Sequence, residues 1–342
     1  MTRDVAQLVV WCPRLVKLIP MRKKTLFAVA VLVWSAHCAA QSYPIRPITL
    51  VVPTPAGGAA DALARSLAEA MGKRLGQTII VDNKPGAGGM LAVQMVTRAA
   101  PDGYTLLITH SAPIISTPLL YANVPYDVRR DLAFISEIST ARTVLAVNRE
   151  VPAKTVPEFL AWAAGNRGKV SYGSYGTGSF GHLAGAYLNH SRRLDMTHIA
   201  YKGEAPMVQA LIGGHIAWGI GTVKTLEPHL QSGRLRALAI LGSERAEELP
   251  NVPTMIEAGI SDQELKPLGW MGLMARAGTP APILSRLESE ARAAVKSIAM
   301  RERLRALSLE PVGSTSAQFR REFESAEPVV ERLIKLSGAK AE

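Results

Sequence analysis

Residues 170–183 read V-S-Y-G-S-Y-G-T-G-S-F-G-H-L. An apolar, strand-like start passes through Ser174, Gly176, Thr177, Gly178 and Ser179 into a helix-like segment over 180–188. A turn of this kind leaves main-chain N–H groups unpaired at the positive end of a helix, with small hydroxyl side chains beside them. It is suited to an anion. A second such turn, Val51-Val52-Pro53-Thr54-Pro55-Ala56-Gly57-Gly58-Ala59-Ala60-Asp61, lies between another apolar strand and an amphipathic helix. We expect the two turns to face each other across a cleft and to hold one carboxylate together.

Other chemistries fit these residues less well. Gly176-Thr177-Gly178-Ser179-Phe180-Gly181 matches G-x-G-x-x-G, but the next strand ends Tyr201-Lys202-Gly203 without the acidic residue a dinucleotide ribose requires, and Asp195 comes before that strand begins. A serine hydrolase would need G-x-S-x-G. Tyr172 stands at the first position for Ser174 and Thr177 for Ser179, so both miss, although His182 lies three residues past Ser179. His110, His190, His198, His215 and His229 are scattered without metal-ligand spacing. Asp61 either satisfies main-chain N–H groups in the first turn of its helix or orients the ligand loop. No catalytic residue, metal or cofactor is expected.

Positioning these turns requires alternating strands and helices. From Ile48 onward short β-branched runs alternate with apolar faces at helical spacing. Strands are expected over 48–52, 77–82 and 104–109, with helices over 60–75 and 90–98, and this alternation predicts a parallel sheet covered on both faces. A long apolar stretch over 135–147, broken by Arg142, reads as a crossing into a second lobe. That lobe would hold strands over 169–172, 196–201, 215–220 and 235–241. A strand over 269–274 would cross back, and the tail from Pro280 is helical. Two crossings with a discontinuous first domain describe a hinged, two-lobed binding protein, in which strand C-termini and helix N-termini point toward the gap.

The 342 residues carry a formal charge of +11. Residues 1–40 stand apart: Met21-Arg22-Lys23-Lys24 is a basic n-region, 25–34 an apolar stretch, and Cys38-Ala39-Ala40 a small-residue cleavage site before Gln41. The apolar run of about ten residues is too short to span a membrane, which takes roughly 20. A cleaved secretory signal starting at Met21, with residues 1–20 an upstream extension from Met1, is the expectation. Both cysteines, Cys12 and Cys38, fall in this segment, leaving no disulfide in the mature chain. Six Lys/Arg and one Asp also go with it, reducing the formal charge to +6. No basic run is interleaved with aromatics, so nucleic acid is not an expected partner.

The chain from Tyr43 to Leu336 resembles the periplasmic solute-binding receptors of tripartite tricarboxylate transporters, the Bug family. The residues that carry the resemblance begin with Tyr43-Pro44-Ile45-Arg46-Pro47-Ile48, Gly57-Gly58 with Asp61, Asn83-Lys84-Pro85-Gly86-Ala87-Gly88-Gly89 and Pro101-Asp102-Gly103-Tyr104-Thr105-Leu106. Tyr172-Gly173-Ser174, Gly178-Ser179, His182-Leu183-Ala184-Gly185, Tyr201-Lys202-Gly203 and Ala277-Gly278-Thr279-Pro280 continue the pattern. The resemblance implies a type II periplasmic-binding-protein fold, two α/β lobes with a ligand cleft between them and two hinge crossings. It also implies that the loops at 54–61 and 174–179 hold the carboxylate through main-chain amides. Thr54 stands where many relatives carry an aromatic, and Gly221 where an acidic residue is frequent. An ammonium-bearing ligand thereby loses a partner, and a plain mono- or dicarboxylate is favoured.

The resulting reading divides the chain into an N-terminal extension and signal (1–40), the first part of lobe 1 (41–141), lobe 2 (142–272) and the completion of lobe 1 (273–342). The expected ligand residues are Thr54, Ala56, Gly57, Ala59, Ala60, Asp61, Ser111, Ser174, Thr177, Gly178, Ser179 and Tyr201. The expected function is that of a monomeric, non-enzymatic receptor in the periplasm. It would close on a small organic carboxylate and deliver it to the permease subunits of a tripartite transporter. The alternatives are a ligand-binding component of a two-component sensor and, behind that, a serine-type hydrolase.

Overall fold

The computed structural model describes residues 43–339 apart from Ser243 and Ser308. The expected signal segment, both cysteines and the cleavage position before Gln41 lie outside the described residues. From Arg46 onward the chain packs as one unit.

Four strands come first: β1 (Ile48–Val52), β2 (Ile79–Asn83), β3 (Thr105–His110) and β4 (Leu132–Ala141). Next are β5 (Thr143–Asn148), β6 (Ser171–Ser174), β7 (Thr197–Ala200), β8 (Trp218–Thr222) and β9 (Leu235–Leu241), and then β10 (Trp270–Arg276) and β11 (Leu309–Pro311). They form a six-stranded sheet in the order β11-β4-β10-β3-β1-β2 and a five-stranded sheet in the order β7-β6-β8-β5-β9. The chain leaves the first sheet through Arg142 and returns to it along 242–269, the two hinge crossings of a type II periplasmic-binding-protein fold.

The sheets are mixed where the alternation of elements predicts parallel ones. β1 runs parallel to β2 and β3, and β6 to β7 and β8, but β10 is antiparallel to β3 and β4, and β5 to β8 and β9. The reason is the crossing itself. Only Arg142 separates β4 from β5, so the chain runs straight from one sheet into the other. A strand entering a lobe from the hinge begins where its neighbours end, so it must run against them.

The helices of the first lobe's first part are α1 (Ala59–Leu75), α2 (Met90–Arg98), α3 (Ser116–Leu120) and α4 (Val128–Asp131). α5 (Val156–Gly165), α6 (Phe180–Ser191), α7 (Glu204–Ile212) and α8 (Val223–Gln231) belong with the second sheet, and α9 (Ala281–Lys296), α10 (Ile298–Ala306) and α11 (Ser316–Ser337) complete the first. α1 buries Leu63, Ala64, Leu67 and Met71 along one face and ends at Gly76, whose left-handed conformation (φ 68°) turns its N–H back to Gly72 O. α11 starts with a capping box between Thr315 and Gln318.

Aromatic side chains dominate both cores. In the first lobe Phe319 meets Phe134 edge-on at 5.0 Å and Trp270 at 4.8 Å. In the second, Tyr172 stacks on Trp218 at 5.1 Å, with Phe159 against the indole. α6 ties the lobes together: its Leu183 is buried in the first lobe's core, and Phe180 and Tyr187 pack against both cores. Fully burying a leucine contributes about 1.5–3 kcal/mol, so this helix is a substantial interlobe contact.

Candidate functional site

The turns after β1 and β3 in the first lobe and after β6 in the second open onto one cavity of about 620 Å³. Its wall on one side comprises Pro53, Thr54, Pro85, Gly86, His110, Ser111 and, from α3, Ser116, Thr117 and Leu120. On the other side stand Tyr175, Gly176, Thr177, Gly178, Ser179 and Phe180, with Leu268 and Gly269 of the second crossing completing it. The size falls in the range of small-molecule sites, about 300–1,000 Å³.

The first turn is shaped by Asp61. Its Oδ2 accepts the Gly57 N–H and Arg65 Nε, each at 3.0 Å, and its Oδ1 accepts Asn83 Nδ2 at 3.0 Å. Asn83 Nδ2 also donates to Thr54 O at 3.0 Å, so one carboxylate sets the path of the whole loop. The Arg65 hydrogen bond, helped by the Gly57 amide, lowers the Asp61 carboxyl to about 2. Asp61 is therefore anionic, and its charge is directed into the loop. The loop in turn buries Thr54 Oγ1, which has no hydrogen-bond partner among the described residues. An unmatched buried hydroxyl costs about 1–3 kcal/mol, and this one lies beneath the loop surface, where the cavity does not reach it.

The second turn rests on two histidines. Gly178 N donates to His182 Nδ1 at 3.1 Å, and Ser179 caps α6 by accepting the His182 N–H at 3.4 Å. His182 stacks on His198 with ring centroids 3.9 Å apart and 10° between planes. His198 Nε2 lies 2.8 Å from Ser174 Oγ, which also donates to Gly176 O at 3.1 Å. Burial, with His182 beside it, brings His198 down to about 4, and burial lowers His182 as well. Both rings are neutral near pH 7. With Nδ1 accepting, the His182 proton sits on Nε2.

Among the expected ligand residues, the fold brings Thr54, Ser111, Thr177, Gly178 and Ser179 to one cavity. Ala56, Gly57, Ala59, Ala60 and Asp61 lie outside its wall, and Asp61 orders the loop. Ser174 is fully buried beneath the turn, and Tyr201 packs against the backbone of Gly173. Gly178 contributes surface, while its N–H is spent on His182. The sequence reading did not single out α3, Tyr175, His110 or the pairing of His182 with His198. The short α3 has too few residues to show a helical period, and the histidine pair is formed by β7 lying beside β6.

No Asp, Glu, Lys or Arg contributes to the cavity wall. Its one titratable imidazole, His110, is pushed toward the neutral form by burial. Tyr175 is raised to about 12 by burial, with the Glu204 charge adding to it, so it stays an O–H donor. The field inside therefore comes from hydroxyls, amides and helix ends. The space a side chain on Gly221 would enter is already occupied: Glu204 Oε1 lies 2.7 Å from that Cβ position. Its carboxylate accepts from Thr222 N, from Thr222 Oγ1 at 3.1 Å and from Thr225 Oγ1 at 3.3 Å. An acid thus stands beside position 221 although that residue is glycine, tied to the protein and outside the wall.

Hydrolytic chemistry finds little support in this arrangement. Ser174, the serine that meets an imidazole, is fully buried, and a base near 4 is poorly matched to neutral pH. Ser179 Oγ meets the His182 main chain and not its ring. Among the described residues no group of three or more His, Cys, Asp or Glu side chains is placed to hold a metal, and no helix is long and apolar enough to cross a membrane.

The profile of the family described as "Tripartite tricarboxylate transporter family receptor" matches residues 63–338. The protein BugT of Bordetella pertussis is 35% identical over 287 residues, covering 84% of this chain and 87% of its own. Two solved structures from Rhodopseudomonas palustris are similar throughout. One, determined with adipate, is 29% identical with a TM-score of 0.72 and covers 87% of this chain and 99% of its own. The other, MatC with bound malate, is 30% identical with a TM-score of 0.65 and covers 84% and 100%.

Proposed function

The chain belongs to the family of tripartite tricarboxylate transporter receptors, which are periplasmic substrate-binding proteins and not enzymes, and from that premise we propose that it captures a small organic carboxylate between its lobes and delivers it to the membrane subunits of a tripartite transporter. One observation carries the ligand class: a cavity of about 620 Å³ whose polar wall groups are all uncharged near pH 7. A carboxylate is held in such a site by hydrogen bonds to neutral donors, each contributing about 1.5–3 kcal/mol when one partner is charged. The hydroxyls of Ser111, Thr177 and Ser179 are the donors we assign to it, with Thr54 in the wall beside them. Pro53, Leu120, Phe180 and Leu268 offer apolar surface to the hydrocarbon between two carboxylates. The adipate and malate complexes of the relatives support this class. A ligand ammonium would find no carboxylate in the wall, which favours plain mono- and dicarboxylates over amino acids. Export with cleavage before Gln41 and a monomeric state belong to the same reading.

Titration calorimetry of the mature chain with adipate, malate and succinate against aspartate and glutamate tests it. Saturable heats are expected from one or more of the plain dicarboxylates. Binding confined to the amino acids would refute the assignment.

A further inference from the structure

Behind the cleft the two hinge crossings enclose a second cavity, of about 470 Å³. Arg142 of the first crossing and residues of the second, among them Met255, Ile260 and Leu265, form its wall, with Glu137 of β4 opening into it. Glu137 is only 9% exposed, and its carboxylate has no hydrogen bond or ion pair among the described residues. Its main chain, by contrast, is fully tied: the N–H goes to Ser314 Oγ at 2.9 Å and the carbonyl receives the Ser314 N–H at 3.1 Å. The side chain lines the cavity without a hydrogen-bond or ion-pair partner among the described residues. Burial in that position disfavours the ionised carboxylate.

The charged neighbours do not relieve this. Glu322 of α11 approaches with the same sign. Arg142 is engaged by Glu248 and Glu310, and Asp262 is engaged by Tyr187 Oη at 2.9 Å and Arg192 at 2.6 Å. Glu244 and Lys266, both exposed, also contribute to the wall, one of each sign. Burial, with Glu322 adding to it, pushes the Glu137 carboxyl up to about 7.

We propose that this hinge cavity is a second binding site, for a small organic ammonium ion whose charge pairs with Glu137 and whose hydrocarbon body lies against Met255, Ile260 and Leu265. A bare divalent cation is the poorer fit, since calcium takes six or more oxygens and no cluster of three or more candidate ligands exists among the described residues. The apolar walls match a hydrocarbon, and the acid matches the ammonium head. Because both crossings contribute walls, occupancy is linked to the angle between the lobes, and the cation and the cleft ligand must influence each other's affinity equally.

Cyclohexylammonium is the probe, with cyclohexanol as its uncharged control, titrated calorimetrically into the mature wild-type chain and the Glu137→Gln variant at pH 8 and pH 6. Saturable binding by wild type is expected at pH 8, weaker at pH 6 where Glu137 takes up a proton, and roughly tenfold or more weaker in Glu137→Gln. The variant is near-isosteric and removes a desolvated charge, and a cooperative melt at or above the wild-type temperature establishes that it is folded. Absence of saturable cyclohexylammonium binding overturns the site. Equal affinity in Glu137→Gln, or equal binding of cyclohexanol, overturns the role of the carboxylate. None of these outcomes depends on which ligand fills the interlobe cleft.

Discussion

The main-chain N–H of Gly178 donates to Nδ1 of His182 at 3.1 Å, four residues further along the chain. The bond orients the turn that closes the cleft and withdraws from the ligand an amide that the glycine-rich pattern suggests is free. It also makes the turn depend on the protonation of a histidine. Protonated, Nδ1 would present a hydrogen to the hydrogen it now accepts.

Acid should therefore weaken both fold and binding. His198 and His182 have folded-state values below their usual 6.5, so the native state binds fewer protons than the unfolded chain. Their contribution to stability is complete above about 6.5 and is lost as pH falls toward the His198 value of about 4. Melting temperature and ligand affinity should both decline over that window. Measured in Glu137→Gln, where the opposing titration of that acid is absent, equal values at pH 7 and pH 5 would contradict the role assigned to the pair.

Glu137 should act in the opposite direction. Its folded value of about 7 lies above the usual 4.5, so its contribution is complete below 4.5 and is lost as pH rises through 7. Glu137→Gln should match wild type in melting temperature near pH 4 and exceed it at pH 8. A variant less stable than wild type at pH 8 would show that the charged form is supported in the fold.

Gly178→Ala tests the closeness of the lobes. The residue has φ 75°, and a Cβ there would lie 2.7 Å from Leu120 Cδ1 across the cleft. The left-handed backbone costs an L-residue roughly 1–2 kcal/mol, and the clash adds a penalty specific to the closed arrangement. Ligand affinity should fall by more than stability does, and Leu120→Ala in the same chain should restore part of the affinity. Lack of any recovery in the double variant would place the effect in the backbone alone.

Asp61→Asn should loosen the first turn without touching the cavity wall. The change removes a charged acceptor of three hydrogen bonds and should cost about 1–3 kcal/mol in denaturant unfolding, with weaker ligand binding because the Thr54 loop is no longer held. Arg65→Ala, whose side chain is 55% exposed, should cost less than about 1 kcal/mol. Equal losses in the two variants would mean that the ion pair, and not the loop contacts, is what matters.

The local pattern in the chain was enough to specify most of the elements. The helix at Met90–Arg98 and the strand at Leu235–Leu241 are bounded as their apolar spacing and flanking turns predict. The strands on either side of Arg142, β4 and β5, lie in different sheets. Ile298–Ala306 and Leu309–Pro311 were not legible: the first follows α9 with one intervening residue, and the second is three residues long, too short for a period.

Other features depend on contacts between residues distant in sequence, and these only the tertiary structure decided. His182 and His198 meet because β7 pairs beside β6, and Glu137 is left unpaired because Arg142, the nearest cation on its own stretch, is taken by Glu248 and Glu310. Glu204 fills the space beside Gly221 from a different element. Hydrophobic period and turn chemistry act over a few residues and are written into the sequence directly. Which donor meets which acceptor, and which charge is left without a partner, follows from how whole elements pack.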